Sequence, residues 1–426
     1  MNRPFGILFD AASGDVAPIY PSMTPTSCLF CDRPQVRALV DFGLQPLTNR
    51  WPVSAEESAD EPEFRFRLAM GQCAGCGVVQ LLGPPPPGEV RSRYDWLSYN
   101  EPEGHLDDVV QKMLKLPSIG PQSVVAGTSY KEDTTLARLN RRGLERTWRV
   151  DLARDLGETD AAAGLETVQE RLTAEVAERL GAQRGAADLV MARHIIEHAH
   201  HPRSFAAALK RLVKPGGYVV FEVPDCTRSF DRGDFSMPWE EHVAYFTPET
   251  YRSGLECLGF EVLSIERYEY SHEDSLVAFC RSGGTTVVAP PAPSADELSR
   301  ADRYAAMLPE AKAAYRAYFT TFRRNHGPIA ALGAGHLCAG FLNLLELGDL
   351  VDFVVDDNPK KQGLRMPGSR LPIVPSSTLV ERGVGLCLLS VNPEVERRVR
   401  EKNAAFTARG GRWMSMFSGR PQLSEP

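Results

Sequence analysis

Two matched cysteine pairs, Cys28-Leu-Phe-Cys31 and Cys73-Ala-Gly-Cys76, constrain the front of this chain more than any other feature. A CxxC knuckle aims two thiolates at one point, and two knuckles complete a tetrahedral site of four sulfurs, which suits Zn²⁺. Such a site has no open coordination position, so the metal is expected to be structural, with Cys28, Cys31, Cys73 and Cys76 as ligands. The gap from Cys31 to Cys73 is longer than in a plain zinc ribbon, and a small β-rich insertion has to fill it. Phe64-Arg-Phe-Arg-Leu68 alternates apolar and basic residues and reads as one strand, and Val78 to Leu82 reads as a second. Pro84 to Pro87 punctuates the exit from this module, expected over residues 24–84. The bland alternative is four unrelated buried cysteines, which two matched pairs disfavour.

The surroundings support metal over disulfides. Residues 1–15 include Asp10 and lack a long apolar stretch, so they do not read as a signal peptide. No apolar run approaches the roughly 18 residues that span a bilayer. A cytoplasmic protein is expected, and there paired cysteines point to metal. A formal charge of −7 argues against nucleic acid as a partner. A small anionic substrate stays open, because helix N-termini and a few basic side chains are enough to bind phosphate.

With 426 residues, two to three domains are expected. From about residue 105 strands and helices alternate. Ser123 to Ala126, Arg146 to Val150, Asp188 to Ala192 and Tyr218 to Val223 read as strands. Glu132 to Arg142, Thr167 to Leu180 and Phe205 to Val213 read as helices. Repeated βα units predict a doubly wound parallel sheet, with ligands bound beyond the C-terminal strand edges. Phe260 to Tyr268 and Ser275 to Cys280 add a terminal antiparallel hairpin, the addition that class I methyltransferase folds make to such a sheet. This domain is expected over residues 85–282.

Residues 283–295 read as a linker, and Ser294-Ala-Asp-Glu297 as a capping box opening a helix that Pro309 breaks or kinks. A second α/β domain follows over residues 296–420. Strand Pro328 to Leu332 runs into Gly333-Ala-Gly335 and a helix to about Leu347. Strand Val351 to Val355 then ends at Asp356. This βαβ unit resembles a dinucleotide fold, although one glycine fingerprint is weak evidence. Cys338 and Cys387 read as core residues.

Three blocks, in order, resemble the bacterial sugar C-methyltransferases. The first is the cysteine pairs with Phe42-Gly-Leu-Gln-Pro-Leu47 between them. The second is Ala192-Arg-His-Ile-Ile-Glu-His198, then Lys214 to Asp225, then Trp239-Glu-Glu-His-Val-Ala-Tyr-Phe246. The third is the Gly333 segment with Pro359 to Gly363 and Pro367 to Ile373. The resemblance implies an enzyme that uses S-adenosylmethionine (SAM) to methylate the carbon beside the ketone of a nucleotide-linked keto sugar. It implies His242 as the base, Glu241 as its orienting or polarising neighbour, and His198 as a contact to the keto oxygen. An imidazole suits proton removal near neutral pH. Packing roles are the bland alternatives for both histidines. His194 is placed near the donor site, while His200 and His201 are expected on the surface. Glu222, Trp239 and Lys361 are candidate substrate contacts, with strand termination and surface solvation the alternatives for Glu222 and Lys361. A monomer or homodimer is expected.

Two departures stand out. The turn after the first strand of the middle domain reads Gly127-Thr-Ser-Tyr-Lys-Glu-Asp-Thr134, with a single glycine where SAM sites usually carry several. Three readings stay open. Gly127, Thr128 and Ser129 bind SAM in another way; Lys131 pairs with a different, anionic ligand; or the site is inactive. Asp151, at the end of the second strand, sits where an acid usually takes the ribose hydroxyls and favours adenosine. Trp239 stands where active relatives often carry tyrosine, and an indole cannot share a phenolic proton. The competing functions are an NAD-type oxidoreductase built on the C-terminal βαβ unit and a non-catalytic ligand-binding homologue.

Overall fold

Alternation of period two in the front third and strand–helix alternation afterwards give four sheets in a computed structural model, which describes residues 6–9, 16–19, 27–51, 63–91, 94, 101–283 and 292–423. Most of the N-terminal stretch read for a signal peptide, and most of the linker (284–291), lie outside the described residues. Strands β1 (Gly6–Phe9) and β2 (Val16–Ile19) form an antiparallel pair. Strands β3 (Val36–Pro46), β4 (Arg65–Cys73) and β5 (Val79–Leu81) form the zinc module's antiparallel sheet.

The middle domain is a six-stranded sheet. It uses β6 (Val125–Gly127), β7 (Thr147–Arg149), β8 (Ala187–Arg193), β9 (Val213–Asp225), β11 (Phe260–Tyr268) and β12 (Asp274–Ser282), in the order β11-β12-β9-β8-β6-β7. β6 to β9 are mutually parallel and β12 inserts antiparallel beside β9. The order reverses at β6, and a crevice forms beyond the strand ends there. This is the class I methyltransferase topology, with the expected terminal hairpin. Strand β10 (Ala244–Tyr245) belongs elsewhere: it leaves the middle domain and pairs antiparallel with β5 of the zinc module. The loop carrying Trp239 to His242 is therefore anchored on the front module.

Two helices depart from expectation. The stretch Thr167 to Leu180 is not one helix: Leu165–Arg171 ends, and Thr173 caps Ala174–Arg184 by accepting the Val176 N–H. A threonine oxygen in this role competes with helix continuation. Pro309 does not end its helix, which runs unbroken from Ala295 to His326. Pro309 is exposed, so its ring lies on the solvent-facing side of the helix. Ser294 caps this helix through the Glu297 N–H.

That long helix ties the modules together. Tyr304, Leu308, Ala311, Tyr315, Phe319 and Phe322 recur three and four residues apart and are buried, the stripe of a helix with one apolar face. They share a core with Phe42, Leu47 and Met70 of the zinc module and with Phe341 and Leu342 of the last domain. The last domain is an all-parallel sheet of β13 (Ile329–Leu332), β14 (Phe353–Val355), β15 (Ile373–Val374), β16 (Leu386–Leu389) and β17 (Arg412–Ser415), in the order β15-β14-β13-β16-β17. Cys338 and Cys387 are buried in it, as expected of core residues. No described helix is long and apolar enough to cross a membrane.

Candidate active site and metal centre

The four front cysteines converge. Cys28 Sγ lies 3.6 Å from Cys76 Sγ, and Cys31 Sγ lies 3.5 Å from Cys73 Sγ. All four sulfurs are within 4.8 Å of one another. A tetrahedral zinc with bonds of ~2.3 Å needs sulfurs ~3.8 Å apart, so the donor set fits the ion. The turns set this geometry locally: Gly77, at φ +80°, closes the second knuckle by donating its N–H to the Cys73 carbonyl at 2.9 Å. Cys257, which sequence reasoning passed over, packs beside Cys31 and Cys76.

A cavity of about 450 Å³ opens at the crevice of the six-stranded sheet, within the range of small-molecule sites. Two of the three modules contribute to its walls. The middle domain supplies Glu101, Tyr130, Lys131, the segment 161–166, His194, Glu197, His198 and the Trp239–His242 loop. The C-terminal domain supplies His336, Leu337 and Asn392. The zinc module holds the Trp239–His242 loop from behind. Thr48 N–H and Oγ1 both bond to Glu240, and the Asn49 amide donates to Glu241. The Trp239 indole N–H donates to Thr48 Oγ1 at 3.1 Å.

His198 and His242, predicted from distant segments, come together with ring centroids 4.6 Å apart and planes at 85°. Val243 N–H donates to the Glu197 carbonyl at 2.7 Å and locks the two loops. Burial, with His198 and His336 nearby, holds the His242 ring well below its usual pKa. Burial likewise pushes His198 down to about 3 and His336 to about 4. The three imidazoles are neutral at physiological pH. Burial, with Glu240 and Glu166 adding to it, pushes Glu241 well above the usual carboxylate range. His194 is the opposite case. Burial disfavours its charge, but Glu101 and Glu222 override that and raise it to about 10. For Glu101, burial is overridden by His194 and Lys131, which bring it to about 2.

Several expected contacts are relocated. Glu222 is buried beneath the cavity, bonded to Arg193 at 2.5 Å, His194 at 3.1 Å and His105 at 2.9 Å. It is not among the lining residues; it anchors His194 from below. Lys361 is turned inward, its Nζ on the Ala334 carbonyl at 2.9 Å and over the Trp51 ring. Asp151 spends a carboxylate oxygen on the Arg154 N–H at 2.8 Å, capping the helix Leu152–Leu156, and does not line the cavity. His200 is half-buried and lines the cavity, contrary to the surface placement, while His201 is exposed.

The donor loop also differs from expectation. Thr128 and Ser129 are fully buried and their hydroxyls point to Glu132, which also accepts the backbone N–H groups of Ser129 at 2.6 Å and Arg193 at 2.7 Å. A Cβ on Gly127 would come within 2.8 Å of the Glu132 Cβ. The glycine makes room for that carboxylate. The groups of the loop that do face the cavity are Tyr130 and Lys131, with Lys131 Nζ paired to Glu101 at 2.7 Å. The cavity therefore has space and charge for SAM at this strand end, but its hold differs from a glycine-rich turn.

The C-terminal glycine turn is closed by its own domain. Gly333 adopts φ +103°, the Ala334 N–H donates to Asp356 at 2.9 Å, and Lys361 covers the same turn. The N–H groups of Gly333, Ala334 and Gly335 are thus taken within the domain, which leaves fewer backbone donors for the phosphates that the oxidoreductase reading needs. What this turn supplies is His336, at the start of helix His336–Leu344, stacked on Trp239. Glycine patterning hid that role.

Comparison with known proteins agrees with this layout. Residues 28–90 match the family of a zinc binding domain, residues 129–265 a methyltransferase domain, and residues 292–417 the C-methyltransferase C-terminal domain. The C-methyltransferase NovU of Streptomyces niveus is 24% identical over 363 residues, covering 81% of this chain and 84% of the relative. Among solved structures, a Burkholderia thailandensis 1,6-didemethyltoxoflavin-N1-methyltransferase bound to S-adenosylhomocysteine is 16% identical. It covers 42% of this chain and 77% of its own, at TM-score 0.28. A SAM-dependent methyltransferase from Aquifex aeolicus is 15% identical, covering 42% and 94%, also at TM-score 0.28. Zinc-binding, methyltransferase and C-methyltransferase C-terminal domains follow one another along this single chain, the domain set of a SAM-dependent C-methyltransferase.

Proposed function

We propose that the protein methylates the carbon beside the carbonyl of a keto sugar carried on a nucleotide, with His242 as the base. One observation carries this reading: the His242 imidazole, which burial holds well below its usual pKa, and the Glu241 carboxyl, which burial pushes well above its usual range, line the wall of one cavity. Bound SAM supplies an electrophilic methyl group on a sulfonium. Everything else falls to the chain's own residues. His242, uncharged, takes the α-proton. Glu241, protonated, donates a hydrogen bond to the carbonyl oxygen as negative charge builds there, a use of a buried acid that costs no reorganisation. Asn49 holds its other oxygen in place.

Lys131 and Glu101 match the two charges at the amino-acid end of the donor, so their ion pair parts when SAM enters. The small residues Ala161, Ala162 and Ala163 give the adenine an apolar wall. Carboxyl and imidazole groups further along, Glu273 and His272, are suited to exchanging hydrogen bonds with sugar hydroxyls. The nucleotide rests on the family resemblance. A cytoplasmic setting, where the zinc thiolates stay reduced, accords with this reading.

The test is solvent exchange. In D₂O with SAM and a nucleotide-linked keto sugar, the wild type is expected to exchange the α-proton and to form a C-methylated product. His242→Ala should slow both by about 10²–10⁴-fold while binding SAM normally in a calorimeter. Wild-type exchange rates in that variant would remove His242 as the base, and a product methylated on oxygen would remove the carbon chemistry.

A further inference from the structure

The floor of the cavity holds a cluster that proton transfer uses only in part. One nitrogen each of His198 and His242 and one carboxylate oxygen of Glu197 lie within 4.8 Å of one another. Glu197 is 1% exposed, and neither of its carboxylate oxygens has a hydrogen-bond partner. The nearest cationic group is His194, whose Nδ1 stands 3.4 Å from Oε1. That ion pair reaches only one of the two oxygens, and a buried carboxylate so sparsely paired calls for a further partner. The Glu241 backbone stands beside the His198 ring, placed to orient the imidazole and leave its other nitrogen for a ligand. The Val243 to Glu197 bond keeps the two contributing loops in register.

We propose that Glu197, His198 and His242 bind a divalent transition cation of the Zn²⁺ class, with the cavity side left open for water or a substrate oxygen. Two imidazoles and one carboxylate with an open position form a recurrent catalytic donor set for zinc and for non-haem iron. Ligand atoms around one such ion sit ~3 Å apart, so small side-chain rotations close the present spacing. This ion is separate from the tetrathiolate zinc. While it is bound, the His242 nitrogen is used as a ligand, so metal occupancy and proton abstraction exclude each other. That last consequence, inhibition by a second metal equivalent, rests on the base role of His242; the binding site does not.

Metal content of the full chain tests the site. After loading with Zn²⁺ and removal of excess, elemental analysis is expected to find two ions per wild-type chain. Glu197→Gln and His198→Asn should each keep one. Saturation of the wild type at one ion, or retention of both in the two variants, overturns the proposal. Loss of the tetrathiolate ion in a variant would signal misfolding, so the wild type provides a second readout. Cu²⁺ added to the singly zinc-loaded chain should give an electron paramagnetic resonance spectrum with nitrogen coupling from two imidazoles. A spectrum without nitrogen coupling also overturns the site. If the second ion binds and α-proton exchange is unaffected, the base role of His242 falls and the site stands.

Discussion

The Trp239 indole lies against the His336 imidazole, ring centroids 4.3 Å apart and planes inclined by 23°. One ring comes from the Trp239–His242 loop of the middle domain, the other from the first helical residue after the C-terminal glycine turn. The stack therefore closes the cavity with a residue from the last domain, directly beside His242, whose ring centroid is 4.8 Å from that of Trp239.

Removing this cover should be read in substrate binding. His336→Ala forfeits a stack of about 0.5–1.5 kcal/mol and opens the cavity on the side of the C-terminal domain. The expected result is a roughly tenfold rise in KM for the carbonyl substrate, a smaller fall in kcat, and an unchanged SAM affinity by calorimetry. An unchanged KM would mean that the stack serves domain packing only.

The zinc module is joined to the Trp239–His242 loop through β5. That strand pairs with β10, two residues after His242, and Thr48 and Asn49 hold the two glutamates before it. Cys73→Ser should lose the tetrathiolate metal and destabilise the chain by more than about 4 kcal/mol, the scale of losing a structural metal. Activity is expected to fall with the metal content. A folded, zinc-retaining Cys73→Ser protein without activity would contradict the purely structural role.

His194 gives a pH signature. Its pKa rises from the usual 6.5 to about 10 on folding. A raised folded value contributes stability that is complete below pH 6.5 and is lost as pH climbs through 10. The difference in melting temperature between wild type and His194→Gln is therefore expected to be largest near pH 6 and to shrink steadily toward pH 10. Glu101, lowered to about 2, runs the other way: its contribution is present above pH 4.5 and fades as pH falls toward 2. A His194→Gln difference that grows with pH would reverse the assigned charge of that ring.

Elements with regular periodicity were legible in the sequence. The cysteine knuckles, the β6–β9 units and the terminal hairpin appear close to where apolar patterning puts them. His198 and His242 were found through the family resemblance of the segments that carry them, not through periodicity. What patterning misses is long-range. Nothing local announces that Ala244 and Tyr245 pair with the zinc module, that Glu101 meets Lys131, or that Glu197 is buried with His194 as its ion-pair partner. Glu222 and Lys361 look accessible in sequence, yet tertiary ion pairs turn both inward. Pro309 misleads in the same manner, because only the fold tells which side of its helix faces water.

Gly127 offers the sharpest check on the altered donor loop. A glycine after the first strand is normally read as space for a cofactor, whereas here its missing side chain accommodates Glu132. Gly127→Ala should cost about 1–3 kcal/mol, the range for overpacking a filled site, because a Cβ would stand 2.8 Å from the Glu132 Cβ and 3.3 Å from that of Arg149. In a Glu132→Ala background, where the side chain beyond Cβ is gone and the loop is freer to shift, the same change should cost less. The expected coupling is at least about 0.5 kcal/mol in a double-mutant cycle on chemical denaturation. Additive costs, together with SAM affinity lost in Gly127→Ala alone, would instead assign the glycine to the donor.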